Sequence, residues 1–365
     1  MPVAHAQVNE FVPGQVIVKL APASRTVDAA SLRTSVNATV KARFHSIGAE
    51  LWEIAGIGVP QAIARLQGDP RIVFVEPNYI VHAVDVFPND EHFADQWNLH
   101  NTGQTGGTPD ADVDAPEAWT YVTGGDVLVG IIDSGVDWQH VDLAPNIFVN
   151  TREIADNRID DDGNGYIDDV RGWDFVNEDN DPDDDNGHGT HVAGIVAAVG
   201  NNAIGVAGVS WSARILPLKF LSAVGSGTTS DAIRAVEYAT AMGARLTNNS
   251  WGGIGFSLAL RSAIDEAAEA GALFVAGAGN AGLNNDVTPF YPASFDLDNV
   301  ISVASTDHDD ERSFFSNYGL TSVDLGAPGS DVISTFPDDR YAIASGTSMA
   351  APHVSGALCL LWTVA

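Results

Sequence analysis

One cysteine stands in 365 residues. Cys359 has no partner for an internal disulfide, so stability must come from a core or from bound metal. Its expected role is that of a small buried apolar residue. Lysine is almost as scarce, with only Lys19, Lys41 and Lys219. Lys and Arg together number 17 against 48 Asp and Glu, a net charge of −31. A chain so short of basic surface is not expected to bind nucleic acid. No apolar run approaches the roughly 20 residues of a membrane span, so no bilayer crossing is expected. What is present is ordinary for a globular protein: 45% apolar and 18% charged residues. The length admits two domains.

The charge is unevenly placed. Residues 1–87 carry seven acids and seven bases, whereas residues 88–365 carry 41 acids and ten bases. Two units with different fates are expected. The acidic, lysine-poor body fits a secreted calcium binder or a salt-adapted protein. Ala4-His5-Ala6 has the small-x-small form that ends an export signal, so residues 1–6 are read as a signal remnant and the protein as secreted.

Residues 7–82 read as a small α/β unit. Gln15–Leu20, Phe44–Ile54 and Arg71–Val75 have strand character, and Thr26–Val36 and Pro60–Leu66 have helical spacing. About four strands and two helices predict a ferredoxin-like sandwich. Residues 83–89 read as a linker. Beyond it, the buried runs Val127–Ile132, Ile215–Phe220, Ala272–Ala276 and Val300–Ala304 alternate with helical patterns at Val192–Val199, Ser230–Met242 and Leu258–Ala270. That alternation predicts an α/β fold whose parallel sheet is covered on both faces. Its ligand site should lie at the carboxyl ends of the strands. No internal repeat is visible.

Three segments carry chemistry. In Gly130-Ile131-Ile132-Asp133-Ser134-Gly135 an acid ends a buried apolar run. In Asn186-Gly187-His188-Gly189-Thr190-His191 glycines free the backbone around a histidine. In Ser345-Gly346-Thr347-Ser348-Met349-Ala350 a serine opens an Ala-rich helix, where N–H groups favour a nearby anion. Serine is a poor nucleophile until an imidazole takes its proton, and the imidazole needs a carboxylate to fix its tautomer. The order Asp, His, Ser excludes the α/β-hydrolase order, and no Gly-x-Ser-x-Gly elbow is present. His188 and His191 form H-x-x-H, but without HExxH no zinc site is expected, and His191 reads as a packed helix residue.

These motifs resemble those of the subtilisin-like serine endopeptidases (subtilases), from about residue 88 onward. The resemblance implies a subtilisin-like three-layer parallel-sheet domain over residues 90–365. In it Asp133 orients, His188 is base and then acid, and Ser348 is the nucleophile. It implies that Asn280, in Ala278-Gly279-Asn280-Ala281-Gly282, donates to the oxyanion together with the Ser348 N–H. It implies that Ser250, Trp251 and Gly252 line the first specificity pocket, with Gly225, Ser226 and Gly227 on the opposite edge. An extended peptide would add as a strand between them. Phe290 lies where the family often has glycine on the pocket floor, so the pocket should be shortened.

Metal is expected as structural calcium. Asp160-Asp161-Asp162-Gly163-Asn164-Gly165-Tyr166 alternates oxygen ligands around a glycine, like the start of an EF-hand loop. Asp160, Asp162, Asn164 and Tyr166 are its candidate ligands. Arg171 stands where a bidentate Glu belongs, so Asp168 or Asp169 should close the shell. Residues 153–185 hold fourteen acids and two bases, a density that repels itself unless cations bind. The resemblance implies a second site from Asp90, Asp142, Gly200, Asn202, Ile204 and Val206. Asp179, Asp181 and Asp183 are candidates for a third.

Residues 7–82 resemble the family's inhibitory propeptide through Gly14–Lys19, Gly48–Leu51 and Val75–Tyr79. A parallel sheet folds slowly through non-local contacts, which gives a folding template a physical purpose. Cleavage between about Ala83 and Pro88 would release the mature enzyme; a permanently retained domain is the alternative. The expected partners are therefore protein and peptide substrates and the chain's own propeptide, with the protein a monomer. Ala365 lies seventeen residues after Ser348, so a C-terminally truncated catalytic domain is expected. A catalytically impaired fold acting as a calcium-dependent binding module is the rival reading, and an esterase is another.

Overall fold

The computed structural model describes residues 11–22, 28–80 and 85–365. The expected signal remnant and residues 83–84 of the expected linker lie outside them. The chain divides into two compact units, Met1–Ala83 and Val84–Ala365.

The first unit runs β1 (Phe11–Leu20), α1 (Asp28–Ser35), β2 (Ala38–Phe44), β3 (Ala49–Ile54), α2 (Val59–Leu66) and β4 (Ile72–Tyr79). Its antiparallel sheet has the order β2-β3-β1-β4, the ferredoxin-like arrangement. Alternate residues Val16, Val18 and Leu20 of β1 face one core with Trp52, Leu32 and Leu66. The expected single strand Phe44–Ile54 is instead a turn followed by a strand. Gly48, at φ +64°, donates to the Phe44 carbonyl at 2.8 Å and folds the chain back into a hairpin.

The second unit contains α3 (Ala115–Trp119), β5 (Leu128–Asp133), β6 (Trp173–Asp174), α4 (His188–Ala197), β7 (Arg214–Lys219), α5 (Thr229–Ala241) and β8 (Leu246–Asn249). It continues with α6 (Leu258–Glu269), β9 (Leu273–Gly277), β10 (Val300–Thr306), β11 (Leu325–Pro328), the hairpin β12 (Val332–Phe336) and β13 (Arg340–Ala344), and α7 (Thr347–Val364). Seven parallel strands lie in the order β11-β10-β9-β8-β5-β7-β6.

Neighbouring residues on each strand face opposite cores. Ile131, Ile215 and Val275 pack with Val192 and Val196 of α4 and Met349 of α7. Ile132, Leu216 and Phe274 pack with Ala235 of α5 and Ile264 of α6. Each fully buried aliphatic side chain of this kind contributes roughly 1.5–3 kcal/mol. Burial on both faces explains the continuous apolar runs. β8 carries no such run, because three residues of its Leu246-Thr247-Asn248-Asn249 are polar, yet all four are buried. The strand order reverses at β5, between β8 and β7, which places Asp133 at the crevice where parallel sheets bind ligands.

Candidate active site

Asp133 ends β5 fully buried, and His188 opens α4. His188 Nδ1 lies 2.7 Å from Asp133 Oδ1, which also accepts the Ser134 N–H at 2.7 Å. Burial opposes charging of the imidazole. The Asp133 charge and hydrogen bond, with Asp184 beyond, more than offset it, so the His188 pKa is raised above 6.5. Close approach requires glycine here: a Cβ on Gly189 would sit 2.0 Å from the Gly135 carbonyl.

Ser348 is the second residue of α7, so its N–H is one of the helix's free first-turn donors. Its hydroxyl donates to the Ser250 carbonyl at 3.2 Å and makes no hydrogen bond to His188. Asn280 stands beyond β9. Its Oδ1 accepts from the Thr347 N–H at 2.8 Å and Thr347 Oγ1 at 3.0 Å. Those two donors settle which end of the amide is oxygen. Nδ2 is left without a protein partner among the described residues, in a cavity of about 170 Å³ that Ser348 also lines.

Ser250, Trp251, Gly252 and Phe290 line the same cavity, so the structure brings these expected pocket residues together. Phe290 packs so closely that a Cβ on Gly252 would meet its ring at 2.5 Å. A larger cleft of about 540 Å³ runs from His188 between Gly225, Ser226 and Gly227 on one side and Ser250, Trp251 and Gly252 on the other. The main-chain groups of Gly227 and Gly252 make no hydrogen bond among the described residues, which leaves both edges open to an added strand.

Asp90 and Asp142 are buried, and burial raises both carboxyl pKa values. Asn202 Nδ2 reaches Asp142 Oδ1 at 2.7 Å, and Asp90 Oδ2 accepts the Asn201 N–H at 2.7 Å. The carbonyls of Gly200, Ile204 and Val206 accept no hydrogen bond among the described residues. Two buried carboxylates beside unpaired carbonyls form a donor set suited to a hard cation.

In the acidic loop, Asp160 and Asp162 converge with Glu153, their ligand atoms all within 4.8 Å of one another. Glu153, which sequence reasoning did not name, is the acid that meets them, and Asp168 and Asp169 are not in this group. Asp169 is turned inward, accepting from the Tyr238 hydroxyl and from Asn164 Nδ2 at 2.7 Å. Asp168 accepts the Asn157 and Arg158 N–H groups, both at 3.0 Å. Tyr166 sends its ring into an aromatic cluster with Trp173 and Tyr238, leaving only its carbonyl as a ligand. Asp179, Asp181 and Asp183 do not converge in this way.

Two residues beside the catalytic motifs were missed. Asp184 accepts from Ser134 Oγ at 2.9 Å, the Gly187 N–H at 2.9 Å and Thr190 Oγ1 at 2.6 Å. It ties the residue after Asp133 to the start of α4. An acid just before a helix is a readable capping signal. Thr347, which fixes Asn280, has no local signal of that kind.

The sequence profile of the Subtilase family matches residues 124–365. The profile of the fervidolysin N-terminal prodomain matches residues 1–78. A thermophilic serine proteinase of Bacillus sp. is 37% identical over 361 residues, covering 96% of this chain and 78% of that protein. Thermitase of Thermoactinomyces vulgaris is 42% identical over 249 residues, covering 68% of this chain and 79% of its own. A solved protease from Pseudoalteromonas arctica superposes with TM-score 0.63 at 30% identity, covering 76% of this chain and 87% of the other.

Proposed function

The chain belongs to the subtilase family of serine peptidases and carries the family's kind of prodomain, and from that footing we propose a secreted, calcium-stabilised endopeptidase made as a self-processing zymogen. The 2.7 Å contact between His188 and Asp133, in a cleft whose Ser250, Trp251 and Gly252 also line the cavity of Ser348, carries the catalytic reading. Ser348 Oγ attacks the scissile carbonyl as His188 Nε2 takes its proton. Asp133 holds Nδ1–H and stabilises the imidazolium. Asn280 Nδ2 and the Ser348 N–H receive the oxyanion. His188 then gives the proton to the leaving amine, and water completes hydrolysis of the acyl-enzyme by the reverse sequence. In the free enzyme the Ser348 hydroxyl rests on the Ser250 carbonyl; substrate binding brings it to His188 Nε2.

An extended peptide lies along the glycine edges and is held by its backbone, so many sequences are accepted. Calcium, when bound, ties loops together. Asp90, Asp142, Asn202 and the carbonyls of Gly200, Ile204 and Val206 would hold one ion. Glu153, Asp160 and Asp162 would hold another. Catalysis does not pass through either.

Ser348→Ala tests the reading. It should abolish casein hydrolysis and fluorophosphonate labelling while the circular dichroism spectrum stays unchanged. Hydrolysis near the wild-type rate would remove Ser348 from the mechanism. The same variant tests maturation. Wild type should yield a fragment starting between about Ala83 and Asn89, and the variant should not. Equal processing of both would assign the cut to another protease. Export is supported by Ala4-His5-Ala6, and activity confined to the cells rather than the culture medium would contradict it.

A further inference from the structure

We infer that Asn317, held by Asn285, is a positioning residue for the oxyanion donor Asn280; the inference rests on the catalytic reading above. The loop after β9 has little to hold it by itself. Gly279 and Gly282 lie at φ +106° and +66°, and Asn280 is exposed. Among the described residues its side chain is anchored only through Oδ1, on Thr347.

The loop is clamped from the segment after β10. Asn317 Oδ1 accepts two N–H groups, Ala281 at 2.9 Å and Leu283 at 3.0 Å. The Asn317 N–H donates to the Gly279 carbonyl at 2.8 Å, and the Gly282 N–H donates to the Phe315 carbonyl at 2.7 Å. Residues on both sides of Asn280 are thereby fixed to one buried side chain and its strip of backbone. The two N–H donors identify which end of the Asn317 amide is oxygen.

Asn317 is itself aimed. Its Nδ2 donates to Asn285 Oδ1 at 3.0 Å, and Asn285 Nδ2 donates to the Ala278 carbonyl at 2.9 Å. The two asparagines are 2% and 1% exposed, so these bonds exclude water. The fit is close: a Cβ on Gly279 would lie 2.5 Å from Asn317 Nδ2. A satisfied buried network of this kind fixes one geometry. An oxyanion donor acts only where charge develops, so a small displacement lowers the rate of the chemical step and leaves substrate binding alone.

The test is a double-mutant cycle on enzyme counted by active-site titration. Asn280→Ala should lower kcat about 10²–10³-fold with KM nearly unchanged. Asn317→Ala should lower kcat roughly 10–10²-fold, again with KM nearly unchanged. In the Asn280→Ala background, Asn317→Ala should cost less than about twofold more, since the donor it positions is gone. Asn317→Asp keeps the acceptor for Ala281 and Leu283 and should recover part of the loss. If Asn317→Ala does not fold, Asn285→Ser and Asn317→Asp enter the same cycle with the same expectation. Multiplying losses, or a loss carried by KM, would overturn the positioning role. An unchanged kcat in Asn280→Ala alone would instead overturn the oxyanion reading beneath it.

Discussion

Ser250 Oγ donates at 2.9 Å to the carbonyl oxygen of Ser348. Four residues on, Pro352 lies inside α7 and has no N–H to give that carbonyl. The proline therefore creates an unpaired acceptor at the nucleophile's own peptide, and Ser250 satisfies it. Ser348 Oγ returns a hydrogen bond to the Ser250 carbonyl at 3.2 Å.

Ser250→Ala should leave that carbonyl unpaired in a half-buried place, a cost of roughly 1–3 kcal/mol at most. The melting temperature should fall by several degrees. Pro352→Ala supplies a helical donor, so the double variant should lose less than the two single losses combined. Simple additivity by calorimetry would show that the two residues do not share this acceptor.

Phe290 walls the cavity beside Ser348, close against Gly252 and Gly279. Small or medium side chains before the scissile bond should therefore be preferred. Phe290→Gly should raise kcat/KM for a large aromatic residue there by about tenfold relative to alanine, the scale of a few apolar groups accommodated. An unchanged ratio on a peptide series would place the specificity elsewhere.

The proposed mechanism needs neutral His188, whose pKa is raised above 6.5 because Asp133 outweighs burial. The acid limb of kcat/KM should thus be half-maximal above pH 6.5. In Asp133→Asn the residual activity should have its limb at lower pH. A wild-type limb below 6.5 would show that burial, not Asp133, governs the His188 pKa.

His191 and His353 are both held down to about 4, chiefly by burial. His353 is sandwiched between Asn98 Nδ2 at 2.7 Å and the Met349 carbonyl at 2.8 Å. Both folded pKa values are lower than the unfolded value near 6.5. Their stability contribution is complete above pH 6.5 and is lost as pH falls through 6.5 toward 4, on the order of a few kcal/mol each. Asp183, raised to about 6 by burial and by Asp137 and Asp181, acts in the opposite sense over part of that range. His353→Gln should flatten the fall in melting temperature between pH 6.5 and 4; an unchanged slope would remove His353 as a cause.

Chelation should lower the melting temperature and speed self-digestion. A site filled at 100 times its Kd adds about 2.7 kcal/mol. Asp142→Ala tests the site with Asp90, and Asp160→Ala with Asp162→Ala tests the acidic loop. Each should reduce the stabilisation by calcium. If sodium chloride at equal ionic strength restores stability as well, the acids are screened surface charge and the calcium reading fails.

Asp133, His188 and Ser348 were legible because each sits at a handover between elements, marked by a local apolar run, by glycines or by a helix start. The same periodicity marked β5, β7, β9 and β10, whose residues are buried on both faces. β8 escaped it. Its Asn248 is buried because Ser355 Oγ reaches it at 2.8 Å and because it reaches Ser250 Oγ at 3.0 Å, partners that no local pattern announces. Glu153 joined the acidic loop, and Asn317 reached Ala281 from 36 residues away, for the same reason. Sequence alone determined which side chains could do the chemistry and how the backbone would run near them, since periodicity and backbone freedom are local. Only the tertiary structure decided which buried polar groups satisfy one another, because a hydrogen-bond donor finds its distant acceptor only when the whole sheet has brought the two together.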